Sequence, residues 1–375
     1  MIYVPNLRFP EFEEEWEEIY LENICDKIGD GIHSTPEYSD SGDCFFINGN
    51  NLVDGKIKIS ELTKKVSRKE AEKYNSNNML KNTLFISING TIGNLALYND
   101  EPVMLGKSVC YINPKSSQNT IFIFYQLCSK RVYNYFISEL TGTTIKNLSL
   151  KSIRNTILCI PHQEEQTKIA HLLQLIDDRI STQSQIVGEL ETLILDLRKK
   201  VFSLFLGDFT VLGKVANIYQ PQTISISECV NDGNYLVYGA NGIIGKYYSY
   251  NHELSQICIT CRGNTCGTVN YSQPKSHITG NSMVINVDKN IDWVNKRFLF
   301  HYLSSLNFTS IISGSGQPQI VRQPLANLKI IIPEMEQQNN IAIFLDLVQE
   351  KINQEKNILF AYQQQKKYLL KQMFT

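Results

Sequence analysis

Apolar residues recur at alternating steps of four and three along two long stretches of this chain. The first runs through Ile169, Leu173, Ile176, Ile180, Val187, Leu190, Ile194, Leu197, Val201 and Leu204; the second runs through Ile341, Leu345, Val348, Ile352, Leu359, Tyr362, Leu369 and Met373. A mean step of about 3.5 residues predicts helices packed side by side along a seam. Gln183 in the first seam and Glu355 in the second are polar breaks at equivalent places, of the kind that fixes register. Pro161 and Pro333 stand just before the two patterns, where proline marks a helix start. Glu164, Glu165 and Glu336 fall at the positive end of the expected dipoles, and Lys199, Lys200, Lys366, Lys367 and Lys371 at the negative end. Ordinary amphipathic core helices are the competing reading. About 40 residues of helix span about 60 Å, more than a compact core asks for, so a stiff spacer is expected.

The two stretches are copies. At an offset of 172, 13 of the 43 positions from 160 to 202 are identical without a gap, including Pro161/Pro333, Glu164/Glu336, Gln166/Gln338 and Ala170/Ala342. The offset runs backwards through Asn155/Asn327 to Gly142/Gly314. With slight slippage "SINGTIG" (87–93) lies opposite "CRGNTCG" (261–267), and "GKSVCYIN" (106–113) opposite "GNSMVIN" (280–286). The chain is therefore a tandem of two units, each a globular region followed by a long helix. "DCFFING", "NTLFISI", "SVCYINP" and "SQICITC" predict short strands bounded by Gly, Asn and Pro. "IFIFYQLCSKRVYNYFISEL" and "WVNKRFLFHYLSSL" predict one helix per unit. The expected fold is α+β. It is a tandem pseudo-repeat of two β-rich domains, residues 1–160 and 207–332, with long helices at 161–206 and 333–375 pairing as an antiparallel coiled coil.

Composition narrows the function. The 375 residues are 42% apolar with a formal net charge of −1. A chain that held DNA by charge alone would be more basic, so any basic surface is local and a partner supplies the rest. No apolar run reaches membrane-span length, and "MIYVPNLRFPEFEEEW" lacks the pattern of a signal peptide, so a cytoplasmic protein with no membrane partner is expected. Nine cysteines argue against a closed disulfide framework. Cys258, Cys261 and Cys266, near His252 and His277, invite a metal reading. No second pair follows at zinc spacing, and "SQICITCRG" reads as a buried strand, so structural cysteines are expected. "GKS" at 106–108 is not a phosphate loop, because Glu101 stands where the first glycine is required. No hydrolase, zinc-protease, adenine-methyltransferase or nuclease motif occurs, and the six histidines are scattered. No catalytic and no metal-binding residue is expected.

"GTTIKNL" (142–148) followed by "IPHQEEQ", and "GSGQPQI" (314–320) followed by "IPEMEQQ", resemble the specificity subunit of type I restriction-modification systems across essentially the whole chain. "GDGIHSTPEY" (29–38) and "YGANGIIG" (238–245) are similar to openings of target recognition domains in that family. In the second copy the glutamine of the usual Pro-x-x-Glu-Gln falls to Gln337 or Gln338. The resemblance implies a non-catalytic subunit in which each unit reads one half of a split site in double-stranded DNA while the helices set the gap. It implies two adenine methyltransferase subunits docked on the helical region and leaves room for two motor-nuclease subunits. S-adenosylmethionine, ATP and Mg would sit on those partners, with no cofactor on this chain.

Candidate DNA contacts follow from residue type. "KKVSRKEAEK" (64–73) offers Lys64, Lys65, Arg68 and Lys69 to phosphates, with a solvated helical face as the rival. His33, Ser34 and Thr35, in a Gly-bounded loop, suit base edges, or else make a turn whose hydroxyls bond the backbone. Lys107, Lys146 and Asn147 in the first unit, and Asn241, Arg262, Asn281 and Gln317 in the second, complete the set. A different class also fits the architecture: a coiled-coil scaffold with two β-rich modules for peptide or glycan. Basic faces on both modules favour DNA; aromatic or acidic grooves favour the scaffold.

Overall fold

The computed structural model describes residues 4–374 apart from 76–78, 143–145, 206, 241 and 315. The chain divides into two compact units. One holds the residues up to 182 together with those from 359 onward; the other holds 183–358. Each long helix, Gln163–Ser203 and Met335–Met373, contributes to both.

In the first unit a four-stranded antiparallel sheet has the order Cys25–Asp30, Val109–Pro114, Leu84–Ser87, Leu95–Leu97. A three-stranded sheet joins Lys65–Val66, Cys44–Ile47 and Val103–Leu105, the last pair parallel. Glu17–Tyr20 pairs with Ile157–Ile160. The second unit repeats this plan. Its four strands are Asn217–Tyr219, Ser282–Asn286, Ile257–Thr260 and Val269–Tyr271, and its three are Gly242–Tyr247, Tyr235–Gly239 and His277–Ile278. Phe209–Val211 pairs with Lys329–Ile331.

The inner strands of the two four-stranded sheets, Leu84–Ser87, Val109–Pro114, Ile257–Thr260 and Ser282–Asn286, read as nearly unbroken apolar runs because both of their faces are covered. Leu84, Ile86, Cys110 and Ile112 face the helical side and join a cluster with Phe122, Phe136, Ile169, Leu173 and Leu369. Their neighbours Phe85, Val109 and Tyr111 point the other way, into a second cluster with Ile47 and Leu105. In the second unit Ile257, Ile259, Met283 and Ile285 take the helical side, while Cys258 and Val284 take the other. Period-two alternation therefore sends Cys258 and Cys261 into different clusters, so they do not converge on one ion. Among the described residues no group of three or more His, Cys, Asp or Glu could hold a metal, and no helix is long and apolar enough to cross a membrane.

Two expectations need correction. The apolar stretch 121–140 is two helices, Thr120–Leu127 and Lys130–Ser138. Ser129 breaks it by accepting the Val132 N–H at 3.3 Å and capping a new helix, a local competition that apolar periodicity does not reveal. Within the sheets the repeat offset is 173: Cys110 pairs with Ile86, and Met283 with Ile259. Ser108 therefore corresponds to Asn281, one residue away from the alignment of "GKS" with "GNS".

The long helices pair antiparallel. In the first unit Asp177 meets Lys366 at 2.6 Å, and Ile169, Leu173 and Ile176 pack with Leu369 and Met373. In the second unit Gln183 meets Glu355, and Arg198 meets Gln349 at 3.2 Å, so partner numbers fall as the first helix advances. Gln338, not Gln337, is the counterpart of Gln166. Gln166 accepts the Asn119 N–H at 3.0 Å and donates to the Pro161 carbonyl at 2.9 Å; Gln338 accepts from Asn295 and donates to Pro333, both at 2.8 Å.

Candidate nucleic-acid interface

Antiparallel pairing brings the end of Cys25–Asp30, the end of Leu84–Ser87 and the start of Val109–Pro114 to one edge of the first unit's sheet. The loops leaving these strands are tied together by backbone bonds. Gly31 N–H donates to Val109 at 3.0 Å, Ile32 N–H to Leu105 at 2.9 Å, and Ile88 N–H to Ser108 at 2.9 Å. Thr141 and Asn147 exchange backbone bonds of 3.0 and 2.9 Å, closing a small loop that bridges to Asn89. The edge thus gathers Lys107, Lys146 and Asn147 around Asn89, whose amide donates to the Lys107 carbonyl at 3.2 Å. His33, Ser34 and Thr35 continue exposed from Ile32, with the His33 ring 2.8 Å from the Asp30 carboxylate.

The second unit builds the same edge with other side chains. Cys261 N–H donates to Asn281 at 3.0 Å, Gly263 N–H to Pro318 at 2.9 Å, and Ile320 N–H to Cys261 at 3.0 Å. Ser313 and Gln319 exchange bonds of 2.8 Å each, and Gln319 bridges to Arg262 as Asn147 does to Asn89. A depression of about 240 Å³ opens here, lined by Gln220, Arg262, Gln319 and Arg322 among others. Arg322 donates to the Ile218 carbonyl at 2.7 Å. Asn281 is half-buried in the turn whose carbonyl accepts the Cys261 N–H, and Gln317 is exposed on its loop; Asn241 lies outside the described residues.

The turns that carry this edge need glycine. Gly90 (φ +73°) and Gly263 (φ +87°) occupy the left-handed region, and a Cβ on either would meet nothing within 4 Å. Backbone there is open to close approach by a ligand. Gly142 (φ +89°) and Gly314 (φ +93°) turn the two small loops.

The basic stretch 64–73 is elsewhere, on the three-stranded sheet and the helix Arg68–Asn75. Lys64 lies 4.3 Å from the Tyr38 ring, Lys65 lies 5.6 Å from Phe45, and Arg68 lies 3.4 Å from the Asp43 carboxylate; Lys69 is exposed. A depression of about 580 Å³ lies beside them, lined by Tyr38, Phe46, Asn48, Asn50, Lys58 and Lys64 among others. Asn48 links it to the sheet edge by accepting from the Ser108 hydroxyl at 3.0 Å. Neither depression has an Asp or Glu in its lining.

Asn89 was not among the candidates from sequence; its register opposite Arg262 is the signal that points to it. The buried thiols are chemically quiet. Burial pushes Cys258 up to about 12, and Cys110 and Cys261 upward as well, which keeps them protonated and poor nucleophiles.

The type I restriction modification DNA specificity domain family matches residues 13–192 and, a second time, residues 208–360. The chain is 24% identical over 290 residues to the type I restriction enzyme EcoprrI specificity subunit of Escherichia coli, covering 71% of each chain. It is 22% identical over 302 residues to the MjaVIII specificity subunit of Methanocaldococcus jannaschii, covering 68% of this chain and 69% of the other. The fold matches the S subunit of a type I restriction-modification system from M. genitalium with a TM-score of 0.66 at 19% identity, over 100% and 99% of the two chains. It also matches a chain from work on complex assembly and conformational transition of the type I R-M system, with a TM-score of 0.54 at 17% identity, over 96% and 97%. With both units covered, the chain belongs to the family of type I restriction-modification DNA specificity subunits.

Proposed function

We propose that this chain is the DNA-recognition subunit of a type I restriction-modification complex, each unit reading one half of a split site while the paired helices set the gap. One observation carries the reading at residue level. The same sheet edge recurs in both units with matching backbone bonds, but with Asn89, Ser108 and Asn147 in one and Arg262, Asn281 and Gln319 in the other, and with Lys107 where the second has Gly280. A constant scaffold with changed side chains is what two readers of different half-sites require. Lys146 and Gln317 extend these edges, and His33, Ser34 and Thr35 flank the first. Lys64, Lys65, Arg68 and Lys69 are assigned to phosphates beside the larger depression. The acid-free linings, with Lys58 and Lys64 at one depression and Arg262 and Arg322 at the other, favour DNA over a cationic peptide.

With a net charge of −1 this chain relies on partners to share the phosphate contacts. Two adenine methyltransferase subunits docked on the helical region, joined where present by two motor-nuclease subunits, would supply them in the cytoplasm. Those partners would carry S-adenosylmethionine, ATP and Mg and perform all chemistry, this chain remaining non-catalytic. The test exchanges residues 207–332 for the matching segment of a relative and maps adenine methylation genome-wide with the methyltransferase present. One half-site changes and the other persists; a change in both overturns the modular reading.

A further inference from the structure

Asn89 and Arg262 hold the same place in the two units. Each precedes a glycine in the left-handed region, Gly90 or Gly263, and each bridges to the small loop at Asn147 or Gln319. Each follows a residue, Ile88 or Cys261, whose N–H donates to the turn at Ser108 or Asn281. The backbone is therefore constant and only the side chain differs. Arg262 is exposed, lines the acid-free depression, and has no ion pair or side-chain hydrogen bond among the described residues. Asn89 is half-buried and uses one amide hydrogen on Lys107, leaving its carbonyl oxygen and second hydrogen uncommitted.

The two side chains carry different hydrogen-bonding codes. A guanidinium presents parallel donors and matches two acceptors, the O6 and N7 of guanine. A carboxamide presents one donor and one acceptor and matches N7 and N6 of adenine. We propose that this position is a base-reading site in both units, Arg262 donating to a guanine of one half-site and Asn89 pairing with an adenine of the other. The inference rests on the DNA-recognition reading and adds to it which residue reads and which base class it takes.

The test expresses the full chain with its methyltransferase partner in a host lacking other adenine methylation and maps the methylated motif. Arg262→Asn should lose the guanine preference at one position of one half-site, with methylation of the original sites falling about tenfold or more, the other half unchanged. Asn89→Arg should shift one position of the opposite half from adenine towards guanine. Arg262→Lys, which keeps charge without the fork, should relax the same position. If the wild-type motif is bipartite and Arg262→Asn and Asn89→Arg leave it unchanged, this inference fails while the DNA reading stands. A uniform loss of methylation with no base relaxed, and a shallower salt dependence of binding, would make Arg262 a phosphate contact and also overturn it. If the wild-type chain directs no sequence-specific methylation, the broader reading fails first.

Discussion

Gln183 donates its amide to the carboxylate of Glu355 and to its backbone oxygen, the latter at 3.1 Å, and the two residues stand 172 positions apart, the offset of the helical repeat. Each residue is the other's counterpart. Two antiparallel copies of one helix meet themselves at a single level, and here that level is polar. Both side chains are buried, and Lys351 also reaches Glu355 at 2.5 Å. A one-heptad slip would set Gln183 against apolar seam residues and leave the carboxylate with Lys351 alone, so the pair specifies register at some cost in stability.

Breaking one side of this pair should therefore hurt more than removing both. Gln183→Leu leaves the carboxylate without its amide donor, and Glu355→Leu leaves the buried Gln183 amide with only the backbone carbonyl to donate to. Each should lower the urea midpoint, while the double leucine variant returns to or above the wild-type value. Strictly additive losses in the double variant would show that the pair contributes nothing as a pair.

Gln166 and Gln338 are 2% and 0% exposed and tie each long helix to the unit beside its start. Alanine at either leaves a backbone N–H and a proline carbonyl unpaired, at a cost of about 1–3 kcal/mol. Gln337 is exposed, and Gln337→Ala should stay within about 0.5 kcal/mol of wild type. Denaturant melts of the three variants separate these outcomes; equal losses at Gln337 and Gln338 would contradict the assignment.

The seams, their polar breaks, the proline boundaries and the tandem plan were legible because each is a periodicity, and periodicity survives divergence. What was not legible depends on pairing at a distance. Gln337 and Gln338 are chemically identical in the sequence, and only the rotation of the helix decides which one is buried. The "GKS" and "GNS" triplets look alike, yet the strand register follows Ile112/Ile285 and Asn113/Asn286. Lys64 and Lys65 read as free cations until Tyr38 and Phe45 fold beneath them. Asn89 carries no charge and no motif, and only its place opposite Arg262 marks it.

A buried polar cluster ties the second unit's globular part to both long helices and makes its stability acid-sensitive. His301 Nδ1 accepts from Arg198 Nε at 3.2 Å and from Nη2 at 3.1 Å, while Nε2 donates to Asp346 at 2.8 Å. A guanidinium has no acceptor, so Nδ1 must be unprotonated and the ring neutral. Burial holds His301 below its ordinary value, outweighing the raising effect of Asp346. Burial alone would raise Asp346, but hydrogen bonds from His301 and Arg297 bring it to about 2. Both groups bind protons more readily in the unfolded chain. Stability is therefore full above about pH 6.5, falls first through His301 as pH drops, and falls again below about pH 4 through Asp346. His252, also lowered by burial, acts in the same direction as His301. Urea midpoints taken from pH 7.5 to 5 should decline, and His301→Gln should flatten part of that slope; an unchanged slope would remove His301 from the cause.

Arg8 straps the start of the first long helix in a way the second copy lacks. Its guanidinium donates to both carboxylate oxygens of Glu165, Nε at 2.8 Å and Nη2 at 2.7 Å, and Glu165 is 1% exposed. The carboxylate in turn holds Arg8 above its ordinary value through that hydrogen bond. The corresponding residue in the repeat is the exposed, uncharged Gln337, which needs no such partner. Arg8→Ala leaves a buried charge uncompensated and should cost about 3 kcal/mol, whereas replacing both partners by methionine should cost far less. The effect should also be local. Hydrogen exchange at the start of Gln163–Ser203 should quicken in Arg8→Ala while the start of Met335–Met373 keeps its protection, because no contact of Arg8 reaches the second copy's helix start among the described residues. Equal loosening of both helix starts would mean that Arg8 acts through the whole chain and not through Glu165.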